Sequence, residues 1–215
     1  MLAITAHPDD AEIGVGGILL KAKRQGLKTG LIIGTRGENS GYASKAERSH
    51  EASAGAALLE LDYVRFLDLP DAGVEVNTAN MERLISLIRV CAPDVVLTIH
   101  PQDYHPDHYA VSQLVERAIF VAGLKKYAPD DTTWHPHQFF YFSLDPRTNT
   151  HRPDIIVDIS DVWAEKKKAL DAHASQNVTK SAEEWARYLG MLGKCAYGEG
   201  LYLKHALKIS TINGL

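Results

Sequence analysis

Leu2-Ala3-Ile4-Thr5-Ala6-His7-Pro8-Asp9-Asp10 runs from a short apolar strand directly into a histidine and two carboxylates. A strand that ends in such a cluster and then enters a helix builds a site on the carboxyl edge of a sheet. The helix is expected to begin near Ala11-Glu12-Ile13, where acidic residues can cap its first turn and complement its dipole. Capping accounts for one of the two carboxylates. It does not account for His7 beside both.

The remote counterpart is His105-Pro106-Asp107-His108. It follows another apolar run, Asp94-Val95-Val96-Leu97-Thr98-Ile99, and precedes a helical stretch from Tyr109 onward. The two clusters become neighbours if strands one and four lie side by side at the centre of a doubly wound sheet. Two imidazoles and a carboxylate, with one position left for water, are the ligand count of a hydrolytic rather than a structural zinc site. Nitrogen and oxygen ligands without thiolate also suit iron or manganese. Read singly, His7 is a buried histidine on a carboxylate, and His105 and His108 belong to a polar turn in which Asp107 caps a helix. Two such clusters, both at strand ends, favour a joint metal site. His50, His151 and His205 are isolated and read as ordinary hydrogen-bonded or solvated side chains.

Strand and helix patterns alternate around these motifs. Ile13 to Gln25 reads as a helix closed by Gly26, and Thr29 to Gly34 as a second buried strand. A polar loop from Thr35 to Ser44 leads to a helix from Lys45 to Glu60, and Tyr63 to Leu67 makes strand three. After a Pro70-Asp71-Ala72-Gly73 turn, Met81, Leu84, Ile85 and Ile88 mark the buried face of a helix over 79–91. A helix over 109–124 follows strand four. Gln138 to Leu144 and Asp154 to Ile159 read as further strands, two helices come next, and Leu201 to Ile209 is extended. The stretch from Lys125 to His137 is the least regular. Alternation over the first ~125 residues implies a mostly parallel sheet with helices on both faces.

A chain of 215 residues with 45% hydrophobic and 23% charged side chains has the composition of a globular protein. It is read as one domain spanning 1–215, with a βα core over 1–125 completed by strands and helices over 126–215. No apolar stretch reaches the ~18 residues that span a bilayer. The first residues enter a core strand without a basic leader, so a cytoplasmic location without membrane attachment is expected. A net charge of −4 argues against nucleic-acid binding by counterion release. The one basic run, Lys166-Lys167-Lys168, reads as a solvated helix face. Cys91 and Cys195 form no CxxC pattern and read as reduced core residues.

Gly14-Val15-Gly16-Gly17 invites comparison with a dinucleotide-binding loop, and a non-catalytic nucleotide-binding module is the alternative from a different class. The spacing is GxGG rather than GxGxxG, and the glycines fall within the helix. Asp9 and Asp10 would also repel a pyrophosphate at the helix N-terminus. Close packing of the helix on the sheet explains these glycines better.

The AHPDD segment at 6–10 and HPDH at 105–108 together resemble the PIG-L/LmbE-like zinc-dependent deacetylases. The resemblance extends to Gly37-Glu38, Arg48, Glu51, Leu69-Pro70-Asp71, Ser175-Gln176 and Tyr197-Gly198-Glu199-Gly200. Within the family, 114–120 and 122–127 look most like the bacillithiol-biosynthesis branch, which deacetylates N-acetylglucosaminyl malate. The resemblance implies a Rossmann-like fold with a metal site at the carboxyl ends of strands one and four. It implies His7, Asp10 and His108 as metal ligands, with zinc as cofactor and Fe2+ as a substitute. Asp9 would be the general base, and His105, protonated and oriented by Asp107, would stabilise the developing intermediate. Arg48 would contact substrate, with a malate carboxylate as a bidentate partner. Arg36, Tyr104 and His135 are further substrate-binding candidates. His173 stands where the family usually has a tyrosine, and Trp185 or Tyr188 would replace a substrate-lining tyrosine. The implied partner is a small amino-sugar substrate, with homo-oligomers (trimers or hexamers) expected by resemblance. Other N-acetylated sugars or amides are the alternative substrates.

Overall fold

The computed structural model describes residues 1–127, 132–147 and 151–207. Residues 128–131 of the irregular stretch, and the last two of the 201–209 segment, lie outside them. Seven strands form one sheet in the order β3-β2-β1-β4-β5-β7-β6. The elements in chain order are β1 (Leu2–Thr5), α1 (Asp10–Arg24), β2 (Gly30–Ile33), α2 (Lys45–Leu58), β3 (Tyr63–Phe66), α3 (Thr78–Cys91), β4 (Val95–Ile99) and α4 (Pro106–Ala122). They continue with β5 (Gln138–Phe142), β6 (Ile155–Asp158), α5 (Trp163–Asp171), α6 (Thr179–Gly193) and β7 (Gly198–Leu203).

β1 and β4 are neighbours, parallel, with Leu2 opposite Val96 and Ile4 opposite Thr98. Both are sealed from water on either face. Leu2, Ile4, Leu97 and Ile99 are buried with Val15, Val111 and Val115 in the main core. Truncating one such leucine to alanine costs about 2–5 kcal/mol. Burial on both faces is why these strands read as continuous apolar runs rather than alternating ones.

From β1 the chain winds outward through β2 to β3, then returns to β4 and proceeds to β5. Right-handed crossovers therefore place α1 and α2 on one face and α3 and α4 on the other. The winding direction reverses between β1 and β4, where the carboxyl ends part to leave a crevice. β7 departs from the parallel pattern: it lies antiparallel between β5 and β6. No described helix is long and apolar enough to cross a membrane.

Lys166 overturns the solvated reading of the lysine run. It is fully buried, whereas Lys168 is exposed. Successive helical residues diverge by about 100°, so three lysines in a row cannot share one solvent face.

Candidate metal centre and its cavity

The chain leaves β1 through Ala6 and turns at His7, Pro8 and Asp9 before α1 begins. Asp9 has φ 98°, a left-handed conformation that a side-chain-bearing residue adopts only under constraint. Contrary to the capping expectation, neither aspartate caps α1 through its side chain. Asp9 makes no cap bond. The Asp10 carboxylate turns backward, and its Oδ2 accepts the His7 amide at 2.8 Å and the Ala6 amide at 3.1 Å. Its Oδ1 then lies 3.3 Å from Nε2 of His108.

The second motif forms the cap and first turn of α4, which starts at Pro106 rather than Tyr109. His105, not Asp107, is the capping side chain: its Nδ1 accepts the Asp107 amide at 3.2 Å. Proline at the first helical position suits an end where no amide partner is needed.

Three donor atoms converge between the strand ends. Nδ1 of His7 is 3.1 Å from Nε2 of His108 and 3.8 Å from Oδ2 of Asp10. Zinc bonds of ~2.0–2.2 Å in tetrahedral array put ligand atoms about 3.3–3.6 Å apart, so a shared ion would need shifts of only a few tenths of an ångström from these separations. The other nitrogen of each imidazole faces a carboxylate. Nε2 of His7 is 3.2 Å from both Asp107 Oδ2 and Asp71 Oδ1, and Nδ1 of His108 is 3.0 Å from Asp103 Oδ1. Carboxylates on the outer nitrogens hold the rings so that the inner nitrogens face each other and Asp10. His105 also lies within reach of His7 and His108 as an alternative donor, as do Asp71 and Asp107 around His7.

Asp107 meets the His105 ring through its backbone amide and not through its carboxylate. Its carboxylate accepts the Ala72 amide at 2.7 Å and the Val74 amide at 3.1 Å, and faces His7. The turn after β3 is thereby fastened to the site. Asp71 is held in the same turn, its Oδ2 accepting the Asn39 amide at 2.7 Å.

A cavity of about 410 Å³ opens over the centre, lined by His7, Asp9, Asp10, Arg48, His105 and His108, with Gln176 and Tyr104 at its border. Arg48 is buried and forms no pair with Glu47 or Glu51; its Nη2 donates to Pro8 O at 2.7 Å and lies 3.4 Å from Asp9 Oδ2. Its Nε, and Ser40 Oγ in the same wall, are buried without a hydrogen-bond partner. Tyr104 is exposed at the rim under the Arg147 guanidinium.

Two candidates lie elsewhere. Arg36 donates from Nε to Asp68 Oδ1 at 2.7 Å and stacks on Phe66, so its guanidinium is engaged beside β3 and lines no part of this cavity. His135 precedes β5, whose first residue pairs with the first residue of β4. That places it at the amino edge of the sheet, a strand length from the metal donors. There it lines a separate cavity of about 470 Å³ with Phe139, Leu203 and His205.

Burial alone would lower the His7 and His108 pKa values. The Asp107 and Asp71 contacts outweigh it at His7, raising it to about 9, and Asp10 and Asp103 raise His108 to about 10. The His7 contact holds Asp71 down to about 2. Burial would raise Asp10, but the His108 and His7 rings and the His7 amide keep it ionised. Burial and the Asp10 charge push Asp9 upward against the pull of Arg48. Burial and the His108 and His7 rings lower His105 below the ordinary imidazole range.

Sequence reasoning missed the roles of Asp71, which it met only within the Leu69-Pro70-Asp71 segment, and of Asp103, which carries no pattern of its own. It also missed a buried pair behind Asp9, in which His173 Nε2 lies 3.4 Å from Glu12 Oε1. Gly55 makes room for that pair, since a Cβ there would stand 2.7 Å from Glu12 Oε1.

A mostly parallel sheet with a cluster of imidazoles and carboxylates at its switch point has the arrangement of a metal centre on a Rossmann-like fold. A profile described as PIG-L, GlcNAc-PI de-N-acetylase, matches residues 2–119. The chain belongs to the PIG-L family of zinc-dependent N-deacetylases. It is 30% identical to diacetylchitobiose deacetylase from Thermococcus kodakarensis, over 94% of this chain and 81% of that protein. It is 28% identical to 4-oxalmesaconate hydratase from Pseudomonas putida, over 81% of this chain and 73% of that one. Identity to a probable N-acetyl-alpha-D-glucosaminyl L-malate deacetylase of Bacillus subtilis is 26%, over 82% of each chain. The crystal structure of a conserved protein from Thermus thermophilus superposes with a TM-score of 0.89 at 30% identity, covering 97% of this chain and 96% of that one.

Proposed function

We propose that the chain removes the acetyl group from the 2-acetamido position of a small N-acetylglucosamine conjugate, and that His7, Asp10 and His108 hold the metal. The observation that carries this is the division of labour at the two imidazoles: outer nitrogens on carboxylates, inner nitrogens converging with Asp10. When bound, the ion lowers the pKa of a water and polarises the amide carbonyl. Asp9, outside the ligand set, takes the proton from the attacking water and passes it to the departing amine. Arg48 keeps the Asp9 carboxylate in place. His105, with Nδ1 accepting a backbone amide, carries its hydrogen on Nε2 as a donor for the charge that develops on the carbonyl oxygen. Buried Arg48 Nε and Ser40 Oγ favour a polar, hydroxyl-rich ligand in the cavity. The activity is assigned to one unit spanning 1–215, because Gln176 reaches the cavity and the later strands extend the same sheet.

A hydratase reading draws on the Pseudomonas relative. A polycarboxylate substrate needs several cations, and Arg48, already bonded to Pro8 and near Asp9, is the one Lys or Arg among the described lining residues. The same shortage weighs against the malate conjugate expected from sequence. A neutral glycoside is the better fit, with N,N'-diacetylchitobiose as its first representative. Acetate release from metal-loaded protein, compared across diacetylchitobiose, N-acetylglucosaminyl malate and an unsaturated polycarboxylate, tests the reading. Turnover of the first is expected; hydration of the polycarboxylate without acetate release from either sugar would overturn it.

A further inference from the structure

Lys166 and Glu199 form an ion pair in the interior, Nζ to Oε1 at 2.6 Å, with each side chain 1% exposed. Desolvation offsets much of the attraction in such a pair, so stability alone is a weak reason for it. Its contacts are specific. Glu199 Oε1 accepts the Gly17 amide and Oε2 the Ile18 amide, both at 2.7 Å. Lys166 Nζ also donates to the Ile13 carbonyl at 2.9 Å. In a regular α-helix the Ile13 carbonyl and the Gly17 amide are partners. The ion pair thus engages both members of one helical hydrogen bond, in the middle of α1.

Two glycines let the helix sit close enough for this. A Cβ on Gly14 would stand 2.3 Å from the Phe142 ring, and one on Gly17 would stand 2.6 Å from Ile159. On the other side of the clamp, the Ile13 amide donates to Asp9 O at 2.9 Å. Ile13 is therefore tied to Asp9 through its amide and to Lys166 through its carbonyl. The turn between carries Asp9 and Asp10.

The geometry points to Lys166 and Glu199 as positioning residues that set the first turn of α1 over the carboxyl edge, and so place Asp10 against His108 and Asp9 against Arg48. Neither lines the cavity. The inference rests on the proposed ligand set but not on the substrate.

The test combines Glu199→Gln with Lys166→Met/Glu199→Gln, which leaves no uncompensated buried charge, and Lys166→Arg as the conservative variant. Zn2+ affinity is read by competition with a chromophoric chelator, alongside thermal midpoints and separate kcat and KM values. Glu199→Gln and the double variant are expected to bind Zn2+ about 10–100-fold more weakly. At metal saturation kcat should fall with KM little changed, and Lys166→Arg should recover most of the affinity. A lowered thermal midpoint with Zn2+ affinity and kcat within about twofold of the parent would reduce the pair to a structural contact. If Glu199→Gln does not fold, the double variant decides between these outcomes by the same measurements. The Zn2+ reading stands whether or not diacetylchitobiose is turned over.

Discussion

Nε2 of His7 lies 3.2 Å from Oδ2 of Asp107, and that contact, shared with Asp71 at the same distance, leaves Nδ1 facing His108. Asp107 also binds the amides of Ala72 and Val74, so one carboxylate orients a ligand and anchors the turn after β3. Asp107→Ala is expected to weaken Zn2+ binding about 10–100-fold. It should also lower stability by about 1–3 kcal/mol, because the Val74 amide loses its acceptor and the Ala72 amide keeps only Asp71 Oδ1. Chelator competition and denaturant unfolding measure the two effects. Unaltered Zn2+ affinity would show that Asp71 alone suffices to orient His7.

Asp9 and Asp10 differ in what they touch. Asp10 is bound to two upstream amides and faces His108; Asp9 faces Arg48 and the cavity. Asp9→Asn should retain stoichiometric zinc while kcat drops by roughly 10²–10⁴-fold, the usual contribution of a general base. Metal content by emission spectroscopy and steady-state kinetics check this together. Retained turnover removes Asp9 from the proton-transfer role.

Metal affinity should rise with pH across the neutral range. In the metal-free chain His7 is raised to about 9 and His108 to about 10, so both rings carry protons at pH 7, while Asp10 is already ionised. Binding displaces those two protons, giving a slope in log affinity of up to about two per pH unit below pH 9. Isothermal titrations at pH 6, 7 and 8 in several buffers measure the slope and the protons released. A flat profile would contradict the charge assignment at these rings.

Gly55→Ala should destabilise the protein by about 1–3 kcal/mol through overpacking. Its Cβ would come within 2.8 Å of His173 Nε2 as well as crowding Glu12. Thermal unfolding reports the cost. No loss would mean that the Glu12–His173 pair moves aside freely.

The alternation of strands and helices was legible because buried parallel strands read as unbroken apolar runs between turn residues. The antiparallel insertion of β7 between β5 and β6 was not, since pairing partners distant in sequence leave no local mark. Lys166 looked like its two neighbours; only the position of α5 against α1 and β7 shows that it points inward. His135 looked available for substrate until β5 set it at the amino edge.

By itself the sequence placed a His-Asp cluster at the end of each of two apolar strands, and that pattern led to a mostly parallel α/β sheet with the two clusters side by side at its carboxyl edge. Tertiary structure decided which atoms of those residues do what. Asp71, Asp103 and Asp107 select the inner nitrogens of His7 and His108, His105 rather than Asp107 caps α4, and Asp9 is left facing Arg48. Backbone periodicity is a local property that a string of residues carries. The direction of a side chain, and the charge across from it, depend on elements brought together only by folding.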